Sequence, residues 1–173
     1  MFVRSVEPGA SIIQTFAETI FNVVSIMTGT GYAIGNFETW GAFATPTFLA
    51  LMFVGGCAGS TTCSIKIFRF QVLFASAQSQ LRKLARPHRV APARYAGKPL
   101  NPETINSVMA FFFLYIVSFL VLAVALSMTG LDGITALSGA ATAISNVGPG
   151  LGPIIGPAGN FAPLSDAAKW ILA

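Results

Sequence analysis

Residues 28–32, Thr28-Gly29-Thr30-Gly31-Tyr32, decide the fold, because they end an apolar segment that is too short to cross a bilayer. That segment starts after Ser11, a good N-cap, and places apolar residues at near-helical spacing as far as Met27. Its helix would be roughly 16 residues long, short of the ~20 residues that span the hydrocarbon core. The two glycines then permit extended or left-handed backbone, which a helix excludes. A short helix followed by a glycine-rich loop predicts a segment that enters the membrane and turns back.

A second unit of the same kind lies near the other end of the sequence. Asp132 can cap a short helix that runs through Ile144 and is rich in glycine and alanine, which permit close helix approach in lipid. The helix ends at Ser145-Asn146-Val147-Gly148-Pro149-Gly150, and placing Gly31 over Gly148 aligns the two loops. This pattern predicts an internal repeat of short helix, loop and following helix.

Two longer apolar segments lie between these units. The first runs from Phe43 to about Phe74, but Gly55-Gly56-Cys57-Ala58-Gly59-Ser60-Thr61-Thr62 interrupts it with residues that favour loops. The interruption indicates a broken membrane helix, with close packing of an unbroken helix through small residues as the alternative. The second segment, Ser107 to Met128, supplies roughly 22 uncharged residues, enough for one full crossing.

The composition is that of a membrane protein. Apolar residues make up 54% of the chain and charged residues 9%, whereas a soluble domain carries roughly 25% charge. Six of the ten Lys and Arg residues lie between Arg82 and Lys98, which the positive-inside rule places in the cytoplasm. Because basic residues form no stripe elsewhere, the net charge of +4 does not indicate a nucleic-acid partner. With one crossing on either side of the basic segment, both glycine-rich loops are expected to open outside.

Residues that usually carry catalysis or metal binding are sparse. Cys57 and Cys63 have no second cysteine or histidine cluster nearby, and His88 lies in a loop rich in proline and arginine. The sequence therefore predicts neither an enzyme nor an organic cofactor. Lys66 and Arg69 follow the interrupted helix and are expected to snorkel to the cytoplasmic interface rather than join an ion site.

The two glycine-rich loops contain no Asp, Glu, Lys or Arg, which limits what they can bind. Any ligand meets backbone carbonyl groups and the hydroxyl groups of Thr28, Thr30 and Ser145. Non-helical backbone at membrane depth is tolerated only where protein buries it or water reaches it, which predicts a cavity. Carbonyl oxygens can replace the hydration shell of a monovalent cation. A secondary transporter of a small organic substrate is the alternative, because discontinuous helices also build such sites.

Taken together, the glycine-rich motifs, including Ile65-Lys66 after the interrupted helix and Leu151-Gly152 after the second loop, resemble those of the TrkH branch of the Trk, Ktr and HKT potassium transporters. The resemblance covers almost the whole chain. It implies an all-α membrane protein of the potassium-channel kind, in which units of helix, re-entrant pore helix, filter loop and helix surround one pore. About one and a half of these repeats are expected. Residues 1–78 would form the pore helix, filter and broken inner helix of the third repeat. Residues 79–106 would form a basic cytoplasmic linker, and residues 107–173 the fourth repeat with a truncated inner helix.

The resemblance also implies which residues act on the ion. Potassium uptake would use a selectivity filter of backbone carbonyl groups from Gly29, Thr30, Gly31, Asn146, Val147 and Gly148. A gate beneath that filter would be formed by Gly55, Gly56, Gly59, Ser60, Thr61 and Thr62. Here Thr62-Cys63-Ser64 replaces the Thr-Gly-Gly that is more usual in the family.

Location and partners are expectations of the same resemblance. It implies a multi-pass protein of the bacterial inner membrane, surrounded by lipid and assembled as a homodimer. Its cytoplasmic face would meet a nucleotide-binding regulatory subunit like TrkA. The basic segment from Arg82 to Lys98 is one candidate contact, with attraction to anionic lipid as the alternative.

Overall fold

The computed structural model describes residues 11–57, 59, 60, 62–85 and 92–173. Its helices are α1 Ile12–Thr28, α2 Ala44–Met52, α3 Ile67–Ala85, α4 Pro102–Met128, α5 Gly133–Ser145 and α6 Asp166–Leu172. A 3-10 helix, Phe37–Trp40, precedes α2, and a two-residue antiparallel pair, β1 Arg94–Tyr95 with β2 Lys98–Pro99, precedes α4.

The short helices α1 and α5 begin and end with similar devices. The Ser11 hydroxyl accepts a hydrogen bond from the Gln14 amide, and the Asp132 carboxylate accepts one from the Thr135 amide. Both helices end at a residue in the left-handed region, Gly29 in α1 and Asn146 in α5. With 17 and 13 residues, the two helices are about 26 and 20 Å long, less than the ~30 Å of a bilayer core.

Helix α4 is the one described helix that is long and apolar enough to cross a membrane. Its 27 residues correspond to about 40 Å, and it begins at Pro102, five residues before the predicted start. Asn101 caps it by accepting a hydrogen bond from the Glu103 amide. Large apolar side chains such as Phe113, Leu114 and Val121 are exposed along it, as expected for a helix that faces lipid.

The apolar segment predicted from Phe43 to Phe74 is interrupted, as its glycines indicated. Helix α2 ends at Met52 and α3 begins at Ile67. The loop between them is closed at its base, where the Gly55 amide donates to the Ile65 carbonyl at 2.8 Å. Helix α3 runs on to Ala85 and α4 starts at Pro102, so the ends of both helices lie inside the segment predicted as a linker, 79–106.

The core consists of two clusters that meet beside α5. One cluster joins both units, since it contains residues from α1, the 3-10 helix, α2 and the second loop: Ile26, Phe37, Phe48, Met52, Val147 and Leu151. The other packs α4, α5 and α6 together. The small residues of α5 allow this approach, because a Cβ atom on Gly139 would lie 3.3 Å from side-chain atoms of both Leu126 and Ile155.

Candidate functional site

The two glycine-rich loops lie directly against each other. A Cβ atom placed on Gly31 would be 2.6 Å from the carbonyl oxygen of Val147, closer than real Cβ atoms come. One placed on Gly148 would be 3.2 Å from the Cα atom of Gly31, and one on Gly29 would be 3.3 Å from the Asn146 carbonyl oxygen. Glycine at position 31 is therefore what permits the two main chains to meet.

The internal repeat extends to the backbone dihedral angles. Three pairs of residues at one constant spacing have positive φ in both loops: Gly29 and Asn146 (70° and 49°), Gly31 and Gly148 (76° and 113°), and Gly35 and Gly152 (66° and 97°). The capping hydrogen bonds correspond as well, since the Thr30 amide donates to Ser25 and the Val147 amide to Thr142. The two loops that the alignment of Gly31 with Gly148 pairs therefore have the same backbone conformation at these positions.

The carbonyl oxygens of the six predicted filter residues accept no hydrogen bond from any residue that the structure describes. Thr30, Asn146 and Gly148 are exposed in this arrangement, and Gly29 and Gly31 are half-buried. Val147 differs, because only 1% of its surface is exposed and its carbonyl oxygen contacts Gly31. The carbonyl oxygen of Val147 therefore lies in the buried contact between the loops, whereas the other five residues are at least partly exposed.

Polar side chains behind the loops hold them to their own helices. The buried Asn22 amide group bonds to both the amide and the carbonyl of Ile34, each at 2.9 Å. The buried Ser138 hydroxyl does the same for Leu151, at 2.8 and 2.9 Å. Ile34 and Leu151 are equivalent by the spacing of the repeat. Neither residue was predicted from the sequence, although polar side chains on the inner face of a short apolar helix are a usable signal.

The predicted hydroxyl ligands have different environments. Thr28 and Thr30 lie together, with 2.6 Å between their hydroxyl oxygens, on the exposed side of the first loop. Ser145 is fully buried and shares a 2.6 Å hydrogen bond with the Tyr115 hydroxyl of α4. The prediction that Ser145 meets a ligand is therefore not supported, because its hydroxyl group joins α5 to α4.

The loop between α2 and α3 contains the predicted gate residues. Gly55 and Gly56 are close-packed, since their Cβ atoms would lie 2.7 Å from the Ser64 carbonyl oxygen and 2.8 Å from the Ser60 hydroxyl oxygen. Gly59 has open space around it, and Thr61 lies outside the described residues. The Ser60 hydroxyl donates to the Cys57 carbonyl at 2.9 Å and lies 3.2 Å from the Thr62 hydroxyl.

Two contacts tie this loop to its surroundings. The Lys66 ammonium group donates a hydrogen bond to the Ser60 carbonyl, so this side chain contacts the predicted gate loop instead of extending to the cytoplasmic interface. The Asn146 side-chain amide lies 3.8 Å from the Cys63 sulfur, which joins the loop to the second glycine-rich loop. Arg69 instead packs over the Phe111 ring, with 3.7 Å between guanidinium carbon and ring centroid.

Comparison with known proteins gives consistent results along the chain. A family model described as "TrkH: Cation transport protein" matches residues 2–173. The Trk system potassium uptake protein TrkI of Halomonas elongata is 51% identical over 167 residues, which are 96% of this chain and 34% of that protein. The Trk system potassium uptake protein TrkH of Salmonella typhimurium is 33% identical over 94% of this chain and 33% of its own length.

A solved structure is also similar. The crystal structure of the potassium transporter TrkH from Vibrio parahaemolyticus matches with a TM-score of 0.83 and 35% identity, over 94% of this chain and 34% of that one. This likeness confirms the predicted fold class, an all-α membrane protein of repeated pore units, with one short β pair added. The chain spans about a third of the length of the relatives that it matches.

Proposed function

Because the chain belongs to the TrkH family of cation transport proteins, we propose that it supplies two filter loops and the gate loop of a potassium uptake protein. The observation that carries the proposal is the contact between two charge-free loops whose carbonyl oxygens have no hydrogen-bond donor among the described residues. Backbone oxygens left without donors at membrane depth are costly unless a cation or water satisfies them. The names of the relatives, potassium uptake proteins and a potassium transporter, support the choice of cation.

Ion binding would combine two effects. Carbonyl oxygens of Gly29, Thr30, Gly31, Asn146 and Gly148 would replace water around a potassium ion. The C-terminal ends of α1 and α5 both meet the loops, and each contributes the equivalent of roughly half a negative charge. Since this attraction involves no fixed carboxylate, the ion can leave as well as bind.

Val147 would act differently from the other five filter residues. Its side chain is part of the cluster with Ile26 and Leu151, and its oxygen contacts Gly31. We propose that it sets the distance between the loops, with its oxygen available to the ion once the remaining repeats of a longer protein complete the ring. The two filter loops of this chain would surround only part of the pore and would not conduct by themselves.

The gate would be the loop between α2 and α3. It lies against the second filter loop through Cys63 and Asn146, and it is held by Lys66 and by the bond from Gly55 to Ile65. Opening would require the loop to leave the filter, and the Lys66 bond to Ser60 would oppose that movement. Lys66→Met keeps most of the side-chain volume but removes this bond, so it is expected to raise the fraction of time for which the gate is open.

Membership of the family makes this a membrane protein, and α4 provides a crossing of sufficient length. We further propose location in the bacterial inner membrane, homodimer assembly and control by a cytoplasmic nucleotide-binding subunit. The described part of the basic segment offers Arg82, Lys83, Arg94 and Lys98 to such a subunit or to anionic lipid. Charge reversal at Arg82 and Lys83 should abolish co-purification of the regulator, and unchanged co-purification would exclude this contact.

The function is tested with the full-length protein reconstituted in liposomes. Potassium flux should exceed sodium flux, and Gly31→Ser should lower potassium flux by about 30-fold or more, because its Cβ atom would lie 2.6 Å from the Val147 carbonyl oxygen at a φ of 76°. Flux that does not discriminate potassium from sodium, and does not respond to Gly31→Ser, would refute the assignment. Competition by an organic substrate in the absence of potassium would favour the alternative transporter.

A further inference from the structure

Glu38 lies just beyond the first filter loop, on a short element that its neighbours hold firmly. Asn36 caps the start of the 3-10 helix, because its side chain accepts a hydrogen bond from the Glu38 amide at 3.1 Å. Phe37, the preceding residue, is fully buried and stacks on Phe48 with 4.0 Å between ring centroids. The position of the Glu38 side chain is therefore set by the packing of its own unit.

The Glu38 carboxylate contacts the other unit. One of its oxygens accepts a hydrogen bond from the Gly152 amide at 2.6 Å, across 114 residues of sequence. The second oxygen lies beside Gly156, where a Cβ atom would be only 2.7 Å away. Gly152 and Gly156 are themselves joined by a backbone hydrogen bond of 3.1 Å. The backbone of the second unit thus turns around this carboxylate.

This contact occurs where it can affect the filter. Gly152 follows Leu151, whose amide and carbonyl groups are both bound by the Ser138 hydroxyl of α5. The segment that leads out of the second filter loop is therefore held both by α5, through Ser138, and by the first unit, through Glu38. By the spacing of the repeat, Ile155 is the counterpart of Glu38, and it is a buried apolar residue. The second unit therefore has no carboxylate at the position that corresponds to Glu38.

We propose that Glu38 is a positioning residue that clamps the second filter loop to the first unit and thereby sets ion discrimination. The effect on discrimination depends on the function proposed above, whereas the clamp itself does not. A hydrogen bond from an amide to a carboxylate is about twice as strong as one between neutral groups. Movement of Gly152 would be transmitted through Leu151 to Gly148, which contacts Gly31.

The clamp is tested by amide hydrogen exchange, measured by mass spectrometry on the full-length protein in detergent. Glu38→Ala should speed exchange of the segment 150–156 by about tenfold, because an amide hydrogen bond to a charged group is lost. The segment 133–145 should exchange as in the wild type. Glu38→Gln keeps an acceptor oxygen in place and should change exchange by less than about threefold. Wild-type exchange of 150–156 in Glu38→Ala would overturn the clamp, whatever the transport result.

The consequence for transport is tested with the same variants in liposomes. Glu38→Ala should reduce the potassium-to-sodium flux ratio by about fivefold or more while potassium flux continues, and Glu38→Gln should restore most of the ratio. Asp166→Asn is the control for loss of a carboxylate elsewhere, since the Asp166 side chain is 94% exposed and forms a surface ion pair with Lys169 of the same helix. An unchanged ratio in Glu38→Ala, or equal losses in Glu38→Ala and Glu38→Gln, would overturn the positioning role. A wild-type protein without discrimination, together with the expected exchange result, would refute the proposed function and leave the clamp standing.

Discussion

The two filter loops follow one backbone path with different side chains. The first turns left-handed at Gly29 and the second at Asn146. Asn22 braces the first loop with a side-chain amide, whereas Ser138 braces the second with a single hydroxyl oxygen. Glycine is therefore needed where the two main chains touch, whereas the side chain that hydrogen-bonds each loop to its helix can be of more than one type.

The loops also differ in how many supports they have. Thr142 in α5 accepts a hydrogen bond from the Gly148 amide at 2.9 Å. Its counterpart in α1 is Ser25, whose hydroxyl group is buried and has no hydrogen-bond partner in the described part of the chain. The second loop is therefore bound to its helix more tightly than the first.

The largest effect is expected from the residue at which the loops touch. Gly31→Ala adds a Cβ atom 2.6 Å from the Val147 oxygen and places alanine at a φ of 76°, so potassium flux should fall by about 30-fold or more. Gly35→Ala is the matched control, because φ there is 66° but nothing lies within 4 Å. It should cost only about 1 kcal/mol of backbone strain. Equal losses of flux in the two variants would mean that contact between the loops does not matter.

A smaller effect is expected from the supports behind the loops. Thr142→Val removes the acceptor for the Gly148 amide and should lower the free energy of unfolding by about 1–2 kcal/mol. Ser25→Ala removes a hydroxyl group that bonds to none of the described residues, so its cost should be below about 0.5 kcal/mol. Thermal unfolding of the full-length protein in detergent compares the two. A reversed order would show that the first loop depends on Ser25 as much as the second depends on Thr142.

The smallest effect is expected from a substitution of Gly29, the residue at which α1 ends. Gly29→Asn puts into the first loop the residue that already occupies the left-handed position in the second, so flux should stay within about twofold of wild type. Gly29→Ala adds the same Cβ atom, but alanine tolerates the left-handed conformation less well than asparagine does. Its potassium flux should therefore be about fivefold lower than that of the wild type. Flux assays in liposomes separate these outcomes. Equal flux in both variants would contradict the conformational explanation.

Much of this architecture could be predicted because its causes are local. The end of α1 at Gly29, the end of α5 beside Asn146 and the break after Met52 all follow from residues whose own backbone preferences favour a turn. The crossing by α4 follows from length and apolarity alone. The family resemblance added the order of the units and the residues proposed for filter and gate.

The rest depends on contacts between distant residues, which sequence spacing does not reveal. Ser145 looked like a ligand because it borders the loop, but Tyr115, 30 residues away, takes its hydroxyl group. Lys66 was expected to snorkel, yet its flexible side chain reaches the Ser60 carbonyl. Helix α3 continues to Ala85, past the end of the apolar pattern at Phe74, because alanine, glutamine, leucine and lysine sustain a helix without apolar periodicity.

We propose that main-chain oxygens of two touching loops hold the ion. Crystals of the full-length protein grown in rubidium, a potassium substitute with a usable anomalous signal, test it most directly. We expect anomalous peaks on the axis that the loops share, in contact with carbonyl oxygens of both Gly31 and Gly148. Rubidium bound at side-chain carboxylates, such as that of Glu38, with none between the loops, would be incompatible with binding by main-chain oxygens.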